Sequence, residues 1–134
     1  MKRQLLFYSS ILMLVISCQG NPYKQGAWLY ENRCANCHMQ DGSGLGKQIP
    51  ALNSSLLLMT DREKVACQIY RGVAATDSLP TQLQMPANED LTPAELANLM
   101  NYMLDRWYPT APAVKDNETE IWIQSCKDSE KPGL

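Results

Sequence analysis

The 134-residue chain has one histidine, His38, and one phenylalanine, Phe7. A zinc site built on Cys34, Cys37 and His38 would lack a second imidazole, and its ligands would be spaced too closely. No consequential strand pattern, internal repeat or phosphate-binding glycine loop is present. This removes the βαβ setting that a thioredoxin-like Cys-x-x-Cys dithiol wants. Charge of one sign is also missing: 12 basic residues face 14 acidic ones. A mildly acidic chain argues against nucleic acid, which selects for a basic patch. No general acid, nucleophile or substrate pocket stands out. The length suits one domain, and the apolar fraction of 45% is ordinary for a globular protein.

The chain does have a leader. Met1-Lys2-Arg3 is basic, and the apolar stretch Leu5–Ile16 that follows is interrupted by Tyr8, Ser9 and Ser10. It falls short of the roughly 20 apolar residues that span a bilayer, so it reads as an export signal over residues 1–17. Val15-Ile16-Ser17-Cys18 resembles the bacterial lipobox, which implies cleavage before Cys18 and diacylation of its sulfur. Two or three acyl chains would anchor the protein durably. Loss of Lys2 and Arg3 leaves 10 basic against 14 acidic residues, a net charge of −4. The residues after Cys18 carry no early acidic run, which favours the periplasmic side of a bacterial membrane.

Five cysteines, an odd number, need an accounting. One scheme uses all of them: Cys18 for lipid, Cys34 and Cys37 for a prosthetic group, and Cys67 with Cys126 in a disulfide, which an oxidising compartment permits. A buried free thiol at Cys67 is the other reading. The disulfide is favoured because Cys126 lies in a polar tail that would otherwise expose a reactive thiol.

A tether at 18–23 leads into a folded body at 24–108 and a polar extension at 109–134. Asn21-Pro22 reads as an N-cap and first helical residue, opening a helix to about Ala35 that presents Gly26, Leu29 and Tyr30. Residues 39–54, with Gly42, Gly44, Gly46 and Pro50, read as loop. Thr60 and Glu63 suggest a capping box for a helix over 61–71, with Gly72 as its stop. Residues 73–91, with Pro80 and Pro86, are again loop. Thr92-Pro93-Ala94-Glu95 opens a helix whose stripe is Leu96, Leu99, Met100, Met103 and Leu104, ending near Trp107.

Cys34-Ala35-Asn36-Cys37-His38 is the pattern of covalent haem attachment. Cysteines three apart share a helical face and can reach two vinyl groups of one porphyrin, while the adjacent imidazole reaches the iron. With its surroundings, the stretch resembles class I mono-haem cytochrome c of the small bacterial type, over about residues 24–107. The resemblance implies an all-α fold of three to four helices around one haem c. It implies that Pro50, 12 residues after His38, offers its carbonyl to the imidazole's second nitrogen. Gly26 and Tyr30 then pack the first helix on the last, near Leu99 and Tyr102. Met85, before Pro86, becomes the second axial ligand, with Met59 its competitor. Met39 is adjacent to His38, and Met100 and Met103 belong to a core stripe. Leu52 is a pocket candidate beside Pro50. Trp28, Tyr70, Trp107 and Trp122 are core residues by default. Two departures stand out: Met39 where the family has glycine, and Ala51 where it has a second proline.

Iron held by His38 and Met85 leaves no position open for substrate. The resemblance therefore implies a one-electron carrier, not an enzyme, passing electrons between membrane or periplasmic redox partners. It would be a monomer with brief, small contacts. The alternatives are the haem subunit of a larger oxidoreductase complex, or a haem-based ligand sensor with a labile distal site.

Overall fold

A computed structural model describes residues 22–74 and 83–128. The leader, Cys18, the start of the tether, Asn21 and Pro80 lie outside the described residues. The described chain is helical, and its only strand-like features are isolated bridges, Leu45 with Ile49 and Val73 with Met85.

Helix α1 spans Lys24–Arg33. It begins two residues later than expected, after a turn at Pro22-Tyr23, with no side chain capping it. It buries Gly26, Leu29 and Tyr30. It ends before the expected Ala35 because the chain bends at Cys34, and a one-turn helix α2, Ala35–His38, follows.

The capping box expected from Thr60 is absent. Thr60 closes a one-turn helix α3, Leu57–Thr60, and its hydroxyl donates back to the Leu56 carbonyl at 3.1 Å. Asp61 is extended instead and accepts the Lys64 N–H at 3.1 Å, capping α4, Arg62–Arg71. A carboxylate at N-cap competes well with a threonine hydroxyl, so the helix starts one residue later. Glu63 is left to accept the Ser125 hydroxyl at 2.7 Å. Gly72, at φ 72°, stops α4 as expected.

Helix α5, Pro93–Trp107, has the full Thr92/Glu95 capping box and buries its predicted stripe. Leu96, Leu99 and Met100 are at most 1% exposed and form the centre of the core with Leu29 and Tyr30. A Cβ on Gly26 would collide with the Asn98 carbonyl and Tyr102 Cβ, so α1 and α5 cross there with backbones in close approach. The crossing point is thus at Asn98 and Tyr102, the latter expected, with the expected Leu99 buried in the same core. Tyr30 meets the rings of Tyr102 and Trp107, each at 5.6 Å between centroids.

Part of the polar extension is helical. Asp116–Asp128 form helix α6, which buries Thr119, Ile123 and Cys126. Asn101, buried in α5, fixes the turn before it, donating to the Val114 carbonyl at 2.8 Å and accepting the Val114 N–H at 2.7 Å. The Thr119 hydroxyl donates to the Pro93 carbonyl at 2.8 Å. Cys67 and Cys126 are disulfide-bonded, with Cα atoms 5.5 Å apart, joining α6 to α4.

Candidate functional site

Cys34 is half-buried at the bend and Cys37 is exposed one turn on; both are free thiols. The Cys37 N–H donates to the Cys34 carbonyl at 3.1 Å, which sets both sulfurs on successive turns. Burial pushes the Cys34 thiol up to about 11; nearby Arg33 opposes this and Cys37 adds to it. Among the described residues no three His, Cys, Asp or Glu side chains converge as they would around a bare metal ion.

His38 is buried, 8% exposed. Its Nδ1 lies 3.0 Å from the Pro50 carbonyl. A carbonyl can only accept, so Nδ1 carries the proton and Nε2 keeps its lone pair. Burial lowers the imidazole's affinity for a second proton, and the Pro50 bond opposes this in part. The side chain is therefore a neutral, oriented imidazole with one nitrogen free to bind.

The loop that presents Pro50 is built from short-range bonds. Gly44 N–H donates to the His38 carbonyl at 3.1 Å, and Leu45 N–H to the Ile49 carbonyl at 2.8 Å. Gly44 sits at φ 67°, and a Cβ there would strike the Ile49 and Pro50 carbonyls. Leu52 N–H donates to the Gly42 carbonyl at 2.7 Å, and the Leu52 side chain packs against the core, half-buried. Met39, the residue that replaces a family glycine, stands at φ 65°, ψ 161°, a region that favours glycine. The Tyr30 hydroxyl holds it there by donating to the Met39 carbonyl at 2.7 Å. Burial, with nearby Cys34, Tyr102 and Asp41, keeps that hydroxyl protonated.

Met85 is half-buried against the core and paired with Val73 by two backbone bonds of 2.9 Å. Leu83 N–H donates to the Gln48 carbonyl at 3.1 Å, so the Met85 segment and the Pro50 loop meet side by side. Leu45 and Leu83, from these loops, and Leu56 and Met59, at helix α3, expose large apolar side chains. Such a rim suits a flat apolar group such as a porphyrin. Two free thiols one turn apart, an oriented imidazole and this rim fit haem c. Trp28 is exposed, whereas Tyr70 is buried and Trp107 and Trp122 are half-buried.

Sequence reading missed Asn88 and the Arg33–Asp90 pair. The Arg33 guanidinium, next to Cys34, engages both Asp90 oxygens at 2.7 and 2.6 Å, joining the attachment helix to the segment that follows Met85. Nothing local in sequence marks a pair 57 residues apart.

A family model for cytochrome c matches residues 23–107. The chain is 33% identical over 98 residues to "Alcohol dehydrogenase (quinone), cytochrome c subunit" of Gluconobacter oxydans (strain 621H), covering 70% of this chain and 20% of that protein. Proteins with the same description from Gluconacetobacter polyoxogenes and Komagataeibacter europaeus are 26% identical over 91 residues, covering 65% of this chain and 19% of each relative. The chain thus spans about a fifth of the length of these relatives. With the attachment motif, the Pro50 contact and the helical body all inside the matched span, the chain belongs to the cytochrome c family.

Proposed function

We propose that this protein is a one-electron carrier whose haem c is bonded to Cys34 and Cys37 and ligated by His38 and Met85. The observation that carries the reading is the 3.0 Å contact from His38 Nδ1 to the Pro50 carbonyl. It leaves one imidazole nitrogen as a fixed, basic ligand and explains why the loop from Gly42 to Leu52 is so tightly bonded. Haem c supplies a ferric/ferrous couple, and a thioether ligand favours the reduced state. The chain's own work is orientation and exclusion of water. Pro50 aims His38, and Leu52 and the rim of Leu45, Leu56 and Leu83 give apolar cover. Met85 would supply the second ligand and leave no position open to substrate.

The donor or acceptor in this reading is a dehydrogenase, in keeping with relatives named as cytochrome c subunits of quinone alcohol dehydrogenases. The subunit alternative differs from the free carrier only in the lifetime of that contact. Cys18 is the anchor in this reading, holding the protein on the periplasmic face of a membrane through lipid.

Expression with a haem-attachment system tests the reading. The protein should retain haem under denaturing conditions, and Cys34→Ala/Cys37→Ala should not. The oxidised form should show the weak far-red charge-transfer band of sulfur on ferric haem, and Met85→Ala should lose it. Ready carbon monoxide binding by the reduced parent, with no such band, would sink the carrier reading in favour of a sensor. Co-purification in fixed ratio with a dehydrogenase would favour the subunit form.

A further inference from the structure

We propose that the C-terminal end of α4 is the platform that positions Met85, with Asn88 fastening the segment to it and the clamped helix α6 bracing it from behind. This rests on the reading of Met85 as the sulfur ligand.

Three observations meet at this end of the helix. Val73 and Met85 exchange two backbone hydrogen bonds, both 2.9 Å, so Met85 hangs on the residue just past the helix stop. Gly72, at φ 72°, lets the two strands of chain touch; a Cβ there would collide with the Met85 carbonyl and crowd Pro86 and Ala87. Asn88 then completes the attachment. Its N–H donates to the Tyr70 carbonyl at 2.9 Å, and its Nδ2 donates to the Ile69 carbonyl at 3.1 Å and the Pro86 carbonyl at 3.4 Å. Ile69 and Tyr70 belong to the last turn of α4, whose carbonyls have no partner within the helix. One residue thus satisfies two helix-end carbonyls and pins the segment three residues from the sulfur. The side-chain bonds cross at i+3 from Met85, a reach that sets its backbone without touching the ligand atom.

The platform is held in turn from outside the family-matched span. The Cys67–Cys126 disulfide joins α6 to the middle of α4. Arg71, the last residue of α4, donates to the Cys126 carbonyl at 3.0 Å. Ser125 donates to Glu63 at 2.7 Å, and Lys127 lies 5.5 Å over the Tyr70 ring. Residues 116–128 therefore act on the distal ligand through α4, although they lie beyond residue 107.

A neutral thioether competes with added ligands according to how often its segment lets go. The apparent affinity for such a ligand scales with the open fraction. Loss of the Asn88 side-chain bonds should raise that fraction by roughly tenfold.

The test uses the full haem-loaded protein in its oxidised form, with imidazole as the probe. The readouts are apparent imidazole affinity and intensity of the far-red band. Asn88→Ala should bind imidazole roughly tenfold more tightly, and Asn88→Asp, which cannot donate from the side chain but preserves its shape, should follow it. Cys67→Ser/Cys126→Ser should move the same way by a smaller factor. Asn53→Ala, which removes a bond to the Asp41 carbonyl in the Pro50 loop, should leave the affinity at the parental value. Parental affinity in both Asn88 variants overturns the platform, and an equal rise in Asn53→Ala overturns its specificity. Parental affinity in the double serine variant removes the brace. Retention of the far-red band in Met85→Ala defeats the ligand reading itself, independently of these results.

Discussion

The two sides of the proposed haem are held by different means. His38 and Pro50 are joined within one loop, whose Gly44, Leu45 and Leu52 N–H bonds close over a dozen residues or fewer. Met85 is fixed by α4, which precedes it, and α4 by α6, which follows at the far end of the chain. The first arrangement is local and forms with little loop-closure cost. The second depends on tertiary contacts and on a covalent cross-link. A local clamp gives a ligand that stays with its iron, whereas a tertiary one gives a ligand that can be loosened without unfolding its neighbour.

The largest expected effect falls on the distal support. Cys67→Ser/Cys126→Ser opens a closed loop spanning 59 residues and should cost about 4 kcal/mol by chain entropy, measured by denaturant melts. The His38 environment should survive in the folded fraction. Next come the matched glycines. Gly44→Ala and Gly72→Ala each place a Cβ against backbone carbonyls at positive φ, and each should cost about 2–3 kcal/mol. They should differ in kind: Gly72→Ala weakens the far-red band, and Gly44→Ala leaves it. A smaller effect of opposite sign is expected at Met39. Met39→Gly relieves a strained backbone and should gain about 1 kcal/mol in the melt, since the strain it removes outweighs the added freedom of the unfolded chain.

The smallest effect concerns Arg33 and Asp90. Hydrogen bonding to Arg33 holds the Asp90 carboxyl below its ordinary value. Its contribution is therefore present above the ordinary carboxylate range and is lost as pH falls through the lowered value. The group is exposed, so Asp90→Asn should shift the melting temperature little at neutral pH and not at all in high salt.

The same contrast decides what the sequence made legible. The Pro50 contact and the Thr92 capping box are local patterns, and each appears in the fold at its expected place. Thr60 and Asp61 both can cap, and only the competition between them selects Asp61. Helix α6 was legible in principle, since Thr119, Trp122, Ile123 and Cys126 recur at helical spacing. The density of charged residues around them masked the stripe. Asn88 had no local signal, because its role comes from the end of a helix 19 residues earlier.

The disulfide also bears on maturation. Four cysteines of the folded body could pair in three ways. In the proposed reading, thioether bonds withdraw Cys34 and Cys37 from thiol exchange for good. Cys67 and Cys126 are then left with each other, and the ring they close contains Met85 but neither attachment cysteine. Haem insertion before oxidation would therefore select the native connectivity without an isomerase, and oxidation first would invite mispaired forms that trap the chain before it can receive its cofactor.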